Sequence, residues 1–267
     1  MNNFKFQISN FKIRVFLIFG FLILHFLFSN SAYAELTIKA NHDHIKIDFF
    51  YNGSTVSVGG LSDPGVDLVV KIASPDGHQT LRKKGKLGSL LWMNVGSLNF
   101  ERVPNLYFLH STKRLDDILN REEMDKYVIG YSSLERHIEI SHLSDVNEKD
   151  RWFNEFIKFK ESLRLYSRSS GKISLSENNG KMDYHILLDW PYQAPPGSYT
   201  VTVYGIKNKK IIENAEAEVL VEQVGIVKAL TNMAKNNGAV YGVLSIVIAL
   251  GAGFGVGMIF RKGGDSH

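Results

Sequence analysis

The stretch Pro196-Gly197-Ser198-Tyr199-Thr200-Val201-Thr202-Val203 decides how this chain reads. Proline and glycine set a turn, and from Tyr199 onward every second residue is apolar or aromatic, so Tyr199, Val201 and Val203 share one face of a strand. A tyrosine that follows a turn glycine at the start of a late strand is a feature of immunoglobulin-like sandwiches. Antibody domains carry a cysteine two residues after that tyrosine, and this chain has Val201 there, which points to a generic sandwich and no closer kinship.

The pattern extends on both sides. Ile173 to Leu175, Tyr184 to Trp190 and Ile211 to Val221 read as further strands, with Ile186, Leu188 and Trp190 on one face and Ala217, Val219 and Val221 on another, so residues 169–223 form a β-rich region. Residues 35–112 are β-rich as well. There Ile45, Ile47 and Phe49 alternate with Lys46 and Asp48, and Leu68, Val70 and Ile72 alternate with Asp67, Val69 and Lys71, while Asn52-Gly53, Asp63-Pro64-Gly65 and Pro75-Asp76-Gly77 supply turns. Between the two regions, residues 113–168 form a helical insertion. Helical spacing marks 113–129 and 148–166, where Trp152, Phe156, Phe159, Leu163 and Tyr166 make one stripe and Asn154, Glu155, Lys158, Lys160, Glu161 and Arg164 largely occupy the remainder. Such a stripe is a packing face first and a partner or ligand groove second. The fold class expected is therefore mainly β: one or two immunoglobulin-like β-sandwiches with a helical insertion.

Two apolar segments frame this body. Residues 1–34 combine Lys5, Lys12 and Arg14, the 14-residue run Val15 to Phe28, and an Ala32-Tyr33-Ala34 end, the arrangement of a bacterial secretory signal peptide cut before Glu35. A helix of that length is only ~21 Å long, short of a ~30 Å hydrocarbon core. Residues 239–260 are 22 in number and carry no charge. They predict a transmembrane helix of ~33 Å, preceded by a juxtamembrane linker at 224–238 and followed by a tail at 261–267. Arg261 and Lys262 favour a cytoplasmic C-terminus, and the signal peptide sends the body out, so a single-pass protein of the bacterial inner membrane with a periplasmic body is expected.

Charge settles a class of partners. The chain has 31 Lys+Arg and 27 Asp+Glu, net +4. Setting aside Lys5, Lys12, Arg14, Arg261, Lys262 and Asp265 leaves 26 bases and 26 acids between Glu35 and Gly238, a neutral body. The basicity belongs to sorting, and nucleic-acid binding loses the basic footprint it needs. With no Cys there is no disulfide framework, zinc-thiolate site or thiol nucleophile.

No hydrolase elbow, zinc-protease helix, phosphate loop or haem motif is present, so no catalytic residue and no cofactor is assigned. His42 and His44 lie two apart and would share a strand face, the spacing a metal pair needs, although solvated strand-start histidines are the reading favoured for them. His137 and His142, five apart, fit one helical face poorly. Arg82-Lys83-Lys84-Gly85-Lys86 reads as a solvated hairpin with Gly85 as its turn, or as a contact for anionic headgroups. Gly251, Gly253, Gly255 and Gly257 fall inside the apolar helix with no preceding strand, which rejects a dinucleotide loop and leaves helix packing: Gly251/Gly255 and Gly253/Gly257 are each four apart, a spacing that lets another helix approach.

Several stretches, taken in order, resemble the uncharacterised bacterial family of putative transmembrane proteins first defined in alphaproteobacteria. They are His44-Ile45-Lys46-Ile47 with Phe50 and Gly53, Val66 to Pro75, Arg82 to Asn94, Val103-Pro104-Asn105-Leu106-Tyr107 with Ser111, Phe156 to Tyr166, Pro195 to Val203, and Tyr241-Gly242. Val58-Gly59-Gly60 stands where the family has Phe-Gly, and Trp190-Pro191 where it has a Leu-Pro or similar pair, which marks a distant member. The resemblance implies an exported body with one C-terminal membrane helix, in the company of sulfite or organosulfur exporters, and no established activity. The combined expectation is a membrane-anchored periplasmic accessory or interaction protein, associated with a transporter and touching the bilayer plus a membrane-protein partner or a second copy through its glycines. The alternative is a tethered small-ligand or metal-binding module.

Overall fold

The computed structural model describes residues 36–41, 43–87, 91–143 and 148–261. Seven strands come first: β1 (Lys39–Asn41), β2 (His44–Ile47), β3 (Ser54–Ser62), β4 (Asp67–Ala73), β5 (Asp76–Leu87), β6 (Leu91–Pro104) and β7 (Tyr107–Ser111). The insertion holds α1 (Leu115–Ile118), α2 (Arg121–Lys126), α3 (Tyr131–His137), β8 (Glu139–Ser141) and α4 (Lys149–Ser162). Then follow β9 (Tyr166–Ser170), β10 (Ser174–Asn178), β11 (Lys181–Trp190), β12 (Gly197–Lys207), β13 (Lys210–Gln223), α5 (Gly225–Asn236) and α6 (Gly238–Arg261). With 47% of the described residues in strands the chain is mainly β, as its alternation predicts.

The strands form a four-stranded sheet β1-β3-β11-β10, a six-stranded sheet β2-β13-β12-β4-β7-β9 and a three-stranded sheet β5-β6-β8. Strands from before and after the helices pair with one another within the first two sheets, so the two β-rich regions build one body. Their inner faces meet in a shared core. Val56 and Val58 of β3, and Tyr184, Ile186, Leu188 and Trp190 of β11, are buried together with Leu68, Val70 and Ile72 of β4 and Val201 and Val203 of β12. The Trp190 indole stands edge-on to Tyr199 at 4.9 Å and to Phe108 at 6.3 Å, joining the two sheets. The Tyr199 hydroxyl donates to the carbonyl of Pro195, four residues back, so the corner that opens β12 is tied to the turn before it.

β7 is buried along its whole length because both of its faces are covered. Phe108 meets Trp190 on one side, and on the other Tyr107 lies 6.3 Å from Tyr131 and 5.8 Å from Tyr166. The Tyr107 hydroxyl accepts from Gly130 N–H and donates to the Val128 carbonyl, pinning the loop between α2 and α3 where Val128 and Gly130 take positive φ. α4 closes this side, with Phe156 stacked on Phe100 at 4.6 Å.

The structure corrects several local expectations. Helix 113–129 is two short helices, because Asn120 leaves helical geometry and its side chain accepts from Glu123 N–H as an N-cap. The buried face of α4 is Phe153, Phe156, Ile157 and Lys160, rotated from the predicted aromatic stripe, and Phe159 is 40% exposed. Tyr166 belongs to β9, and Lys160, counted among the polar remainder, faces inward. β2 stops at Ile47, leaving Phe49 in a turn outside the sheet. Gly85 is no turn residue, since it pairs with Met93 inside the β5–β6 ladder. The juxtamembrane stretch is the helix α5, with no buried residue. The signal-peptide segment at 1–34, His42 and the tail beyond Arg261 lie outside the described residues.

Candidate functional site

α6 contains no acidic or basic side chain before Arg261, and its 21 residues from Gly238 to Met258 have a mean hydropathy of 2.1. None of its apolar stretch is buried against the other described residues. At ~1.5 Å per residue it reaches ~31 Å, the thickness of a hydrocarbon core. The Ser245 hydroxyl is satisfied internally by donating to the Tyr241 carbonyl at 2.8 Å. A Cβ placed on Gly251, Gly253, Gly255 or Gly257 would meet no atom within 4 Å, so among the described residues the glycines pack against nothing.

Helical geometry sorts those glycines. At ~100° per residue Gly253 and Gly257 lie on the same side as Gly238, Gly242, Ser245 and Ala249, which makes a stripe of small residues along the helix. Gly251 and Gly255 fall two positions away, ~200° around, on the opposite side. The four glycines therefore serve two faces, and only one of these runs the full length of the span.

The other residues singled out by sequence do not converge. His44 is exposed and its Nε2 lies 2.8 Å from Glu222 Oε1. His137 pairs with Asp76 at 2.6 Å, and His142 lies by Ser141. Among the described residues no group of three or more His, Cys, Asp or Glu is placed to hold a metal.

Two clefts of about 470 Å³ each open on the body. One is lined by His110, Glu161, Arg164, Ser167, Lys172 and Asp189. His110 comes from the buried strand β7. Its Nδ1 is 2.6 Å from Ser169 Oγ, and its buried Nε2 has no partner among the described residues. Burial, assisted by Lys172, lowers its pKa to about 4, so it is neutral at pH 7 and a weak base. A serine activated by histidine needs a base with a pKa near neutrality and a third group to orient it, and this pair has neither. A second contact, Ser57 Oγ to His185 Nε2 at 2.7 Å, is exposed on the four-stranded sheet.

The other cleft gathers Lys71, the Asp76–His137 pair, Thr200, Thr202, Tyr204 and Glu216. Lys71 donates to the Tyr127 carbonyl at 2.7 Å, and burial lowers its pKa to about 8 against the opposing pull of Glu216 and Asp76. Sequence reading missed Lys71 and His110. Strand alternation in β4 and β7 marks no position as inward when both faces are covered, so no pattern signals them.

The pattern of a protein family described as "Putative transmembrane protein (Alph_Pro_TM)" matches residues 35–262. The chain belongs to this family. No curated protein matches it. As an Alph_Pro_TM member with one helix, among the described residues, able to cross a bilayer, it is a single-pass membrane protein.

Proposed function

We propose that this protein is an accessory or interaction protein of the bacterial inner membrane. Its body is held in the periplasm, its C-terminus lies in the cytoplasm, and α6 docks a partner membrane protein or a second copy. The observation that carries the reading is the small-residue stripe of α6, open along its length and met by nothing among the described residues. Helices in lipid associate by close backbone packing, which such a stripe permits. A transporter is the first partner class to examine, on the strength of the family resemblance. The body is read as an immunoglobulin-like sandwich. Its order β1-β3-β11-β10 opposite β13-β12-β4 parallels the two sheets of that fold, and the Tyr199 corner supports the same reading.

The test is crosslinking in native membranes with Gly253→Leu/Gly257→Leu set against Gly251→Leu/Gly255→Leu. Loss of the crosslinked species only with the first pair is expected. Unchanged products with both pairs defeat the reading.

A second reading, a tethered module for a small ligand, rests on the cleft that holds Lys71 beside Asp76 and His137. Calorimetry of the detergent-solubilised chain with sulfite, sulfate, zinc and copper tests it, and absence of heat with all four counts against it.

A further inference from the structure

The end of the body from which the chain departs for the membrane is unlike the other end. β13 finishes at Gln223 beside Ile47 of β2, and Val224 N–H donates to the Ile47 carbonyl at 2.9 Å just before α5 begins. The loop that follows β2 therefore projects past the sheet at the point of departure. In that loop Asp48 organises a tight turn: its carboxylate accepts from Phe50 N–H at 2.9 Å, and its carbonyl accepts from Tyr51 N–H. The two residues at the corner are Phe49 and Phe50, 70% and 85% exposed, with rings 5.3 Å apart. The neighbouring loop joins β11 to β12 at this same end, since Gly197 pairs with Val221, and it carries Tyr192, 62% exposed. α5 adds Ile226 and Leu230, both exposed and one turn apart.

A charged element starts from this end too. Thr200 of β12 lies opposite both Ala73 and Glu218, so β4, across β12 from β13, ends level with Glu218 and runs toward the same end as β13. The β4–β7 ladder runs from Val69↔Ser111 to Ala73↔Tyr107 and resumes in unbroken register as Asp76↔Pro104 and Gly77↔Val103. Ser74 N–H to the Leu106 carbonyl, 3.2 Å, spans the junction, so the β5–β6 hairpin grows out of the sheet as one ribbon. Between Gly77 and Phe100 it carries Arg82, Lys83, Lys84 and Lys86 and no acid, within a body whose net charge is zero. Arg82 and Lys84 are exposed and make no ion pair among the described residues, and Leu91, Met93 and Val95 of the returning strand are exposed as well.

We propose that this end of the body is a membrane-docking face, with Phe49, Phe50 and Tyr192 seated at the headgroup level and the β5–β6 arm held by anionic lipid headgroups. Aromatic side chains favour the interface and basic ones favour an anionic surface. The aromatic side chains are placed where the chain passes to α5, and the arm that carries the basic ones leaves the sheet toward that end. The proposal rests on α6 crossing the bilayer and needs no protein partner.

The chain contains no cysteine, so single-cysteine variants take a spin label at one place only. Full-length F50C, Y192C, V95C, V247C and N208C, the last in the turn between β12 and β13 at the opposite end, are labelled and reconstituted in vesicles. Phosphatidylcholine vesicles are compared with vesicles containing one quarter phosphatidylglycerol. Accessibility to oxygen relative to a water-soluble nickel chelate reports depth. Expected is a ratio severalfold higher at F50C and Y192C than at N208C, and a rise at V95C only with phosphatidylglycerol. If V247C reads as bilayer and F50C is as wet as N208C, the docking face is overturned while the anchor stands. A wet V247C removes the anchor and the docking face together. Labels at F50C and Y192C that are wet in both vesicles and shielded only in native membranes assign the face to a protein partner and overturn lipid docking. Equal readings at V95C in both lipids overturn the role of the arm.

Discussion

Lys160→Met is expected to stabilise the protein. Lys160 is 1% exposed, and among the described residues its amine has one hydrogen bond, to the Asn105 carbonyl at 3.3 Å, with the Phe156 and Tyr166 rings 5.6 and 5.4 Å away. Burial lowers its pKa from 10.5 to about 8. At ~1.4 kcal/mol for each tenfold change, holding this group charged inside the fold at pH 7 costs about 3 kcal/mol. Methionine of similar length removes that cost and forfeits one charge-assisted bond and the ring contacts. Asn105 is exposed, so its carbonyl can turn to water. A net gain of roughly 1–2 kcal/mol follows. The pH dependence gives a second, independent signature. Between about pH 8 and 10 the unfolded chain keeps this proton while the folded chain releases it, so wild-type stability must rise with pH there, and Lys71 adds to the same window. Above pH 10 the trend reverses, because burial raises the pKa of Tyr107, Tyr166, Tyr184, Tyr199 and Tyr204 and only the unfolded chain ionises them readily. Denaturant titration of the full-length protein in detergent at pH 7, 8.5 and 9.5 measures all of this. A Lys160→Met variant less stable than wild type at pH 7, or one that climbs as steeply from pH 8 to 9.5, would refute the reasoning.

Two further expectations concern the core. Tyr199→Phe deletes the bond to Pro195 and leaves the ring against Trp190, so a loss of about 1–2 kcal/mol in the same titration is expected, with the β-sheet circular dichroism signal retained. His110, whose folded pKa is depressed to about 4, stays neutral while the unfolded chain protonates below 6.5, so stability falls as pH drops from 6.5 toward 4; His110→Gln should flatten that fall, and ring NMR shifts should show His110 neutral at pH 5.5.

The strands were legible where one face is wet and the other dry. β11 reads Tyr184, Ile186, Leu188 and Trp190 inward with exposed residues between, and period-two alternation needs only that contrast. The Tyr199 corner was legible because a turn glycine and a tyrosine are local chemistry, and α6 because 21 apolar residues need no tertiary partner to be recognised. α4 was half legible: its helix was evident, yet its buried face was misjudged, because Lys160 is drawn inward by a carbonyl on the junction between β6 and β7.

What the sequence determined by itself is thus the class of each long segment and the neutrality of the body, both properties of composition and short spacing. The tertiary structure alone decided that the two β-rich regions interleave in shared sheets. It also decided which lysines and histidine lie inside, and which loops accompany the chain toward the membrane. Those facts depend on register between strands far apart in sequence. Thr200 facing both Ala73 and Glu218, and Ile47 beside Gln223, are set by the packing of two sheets, which no local pattern encodes.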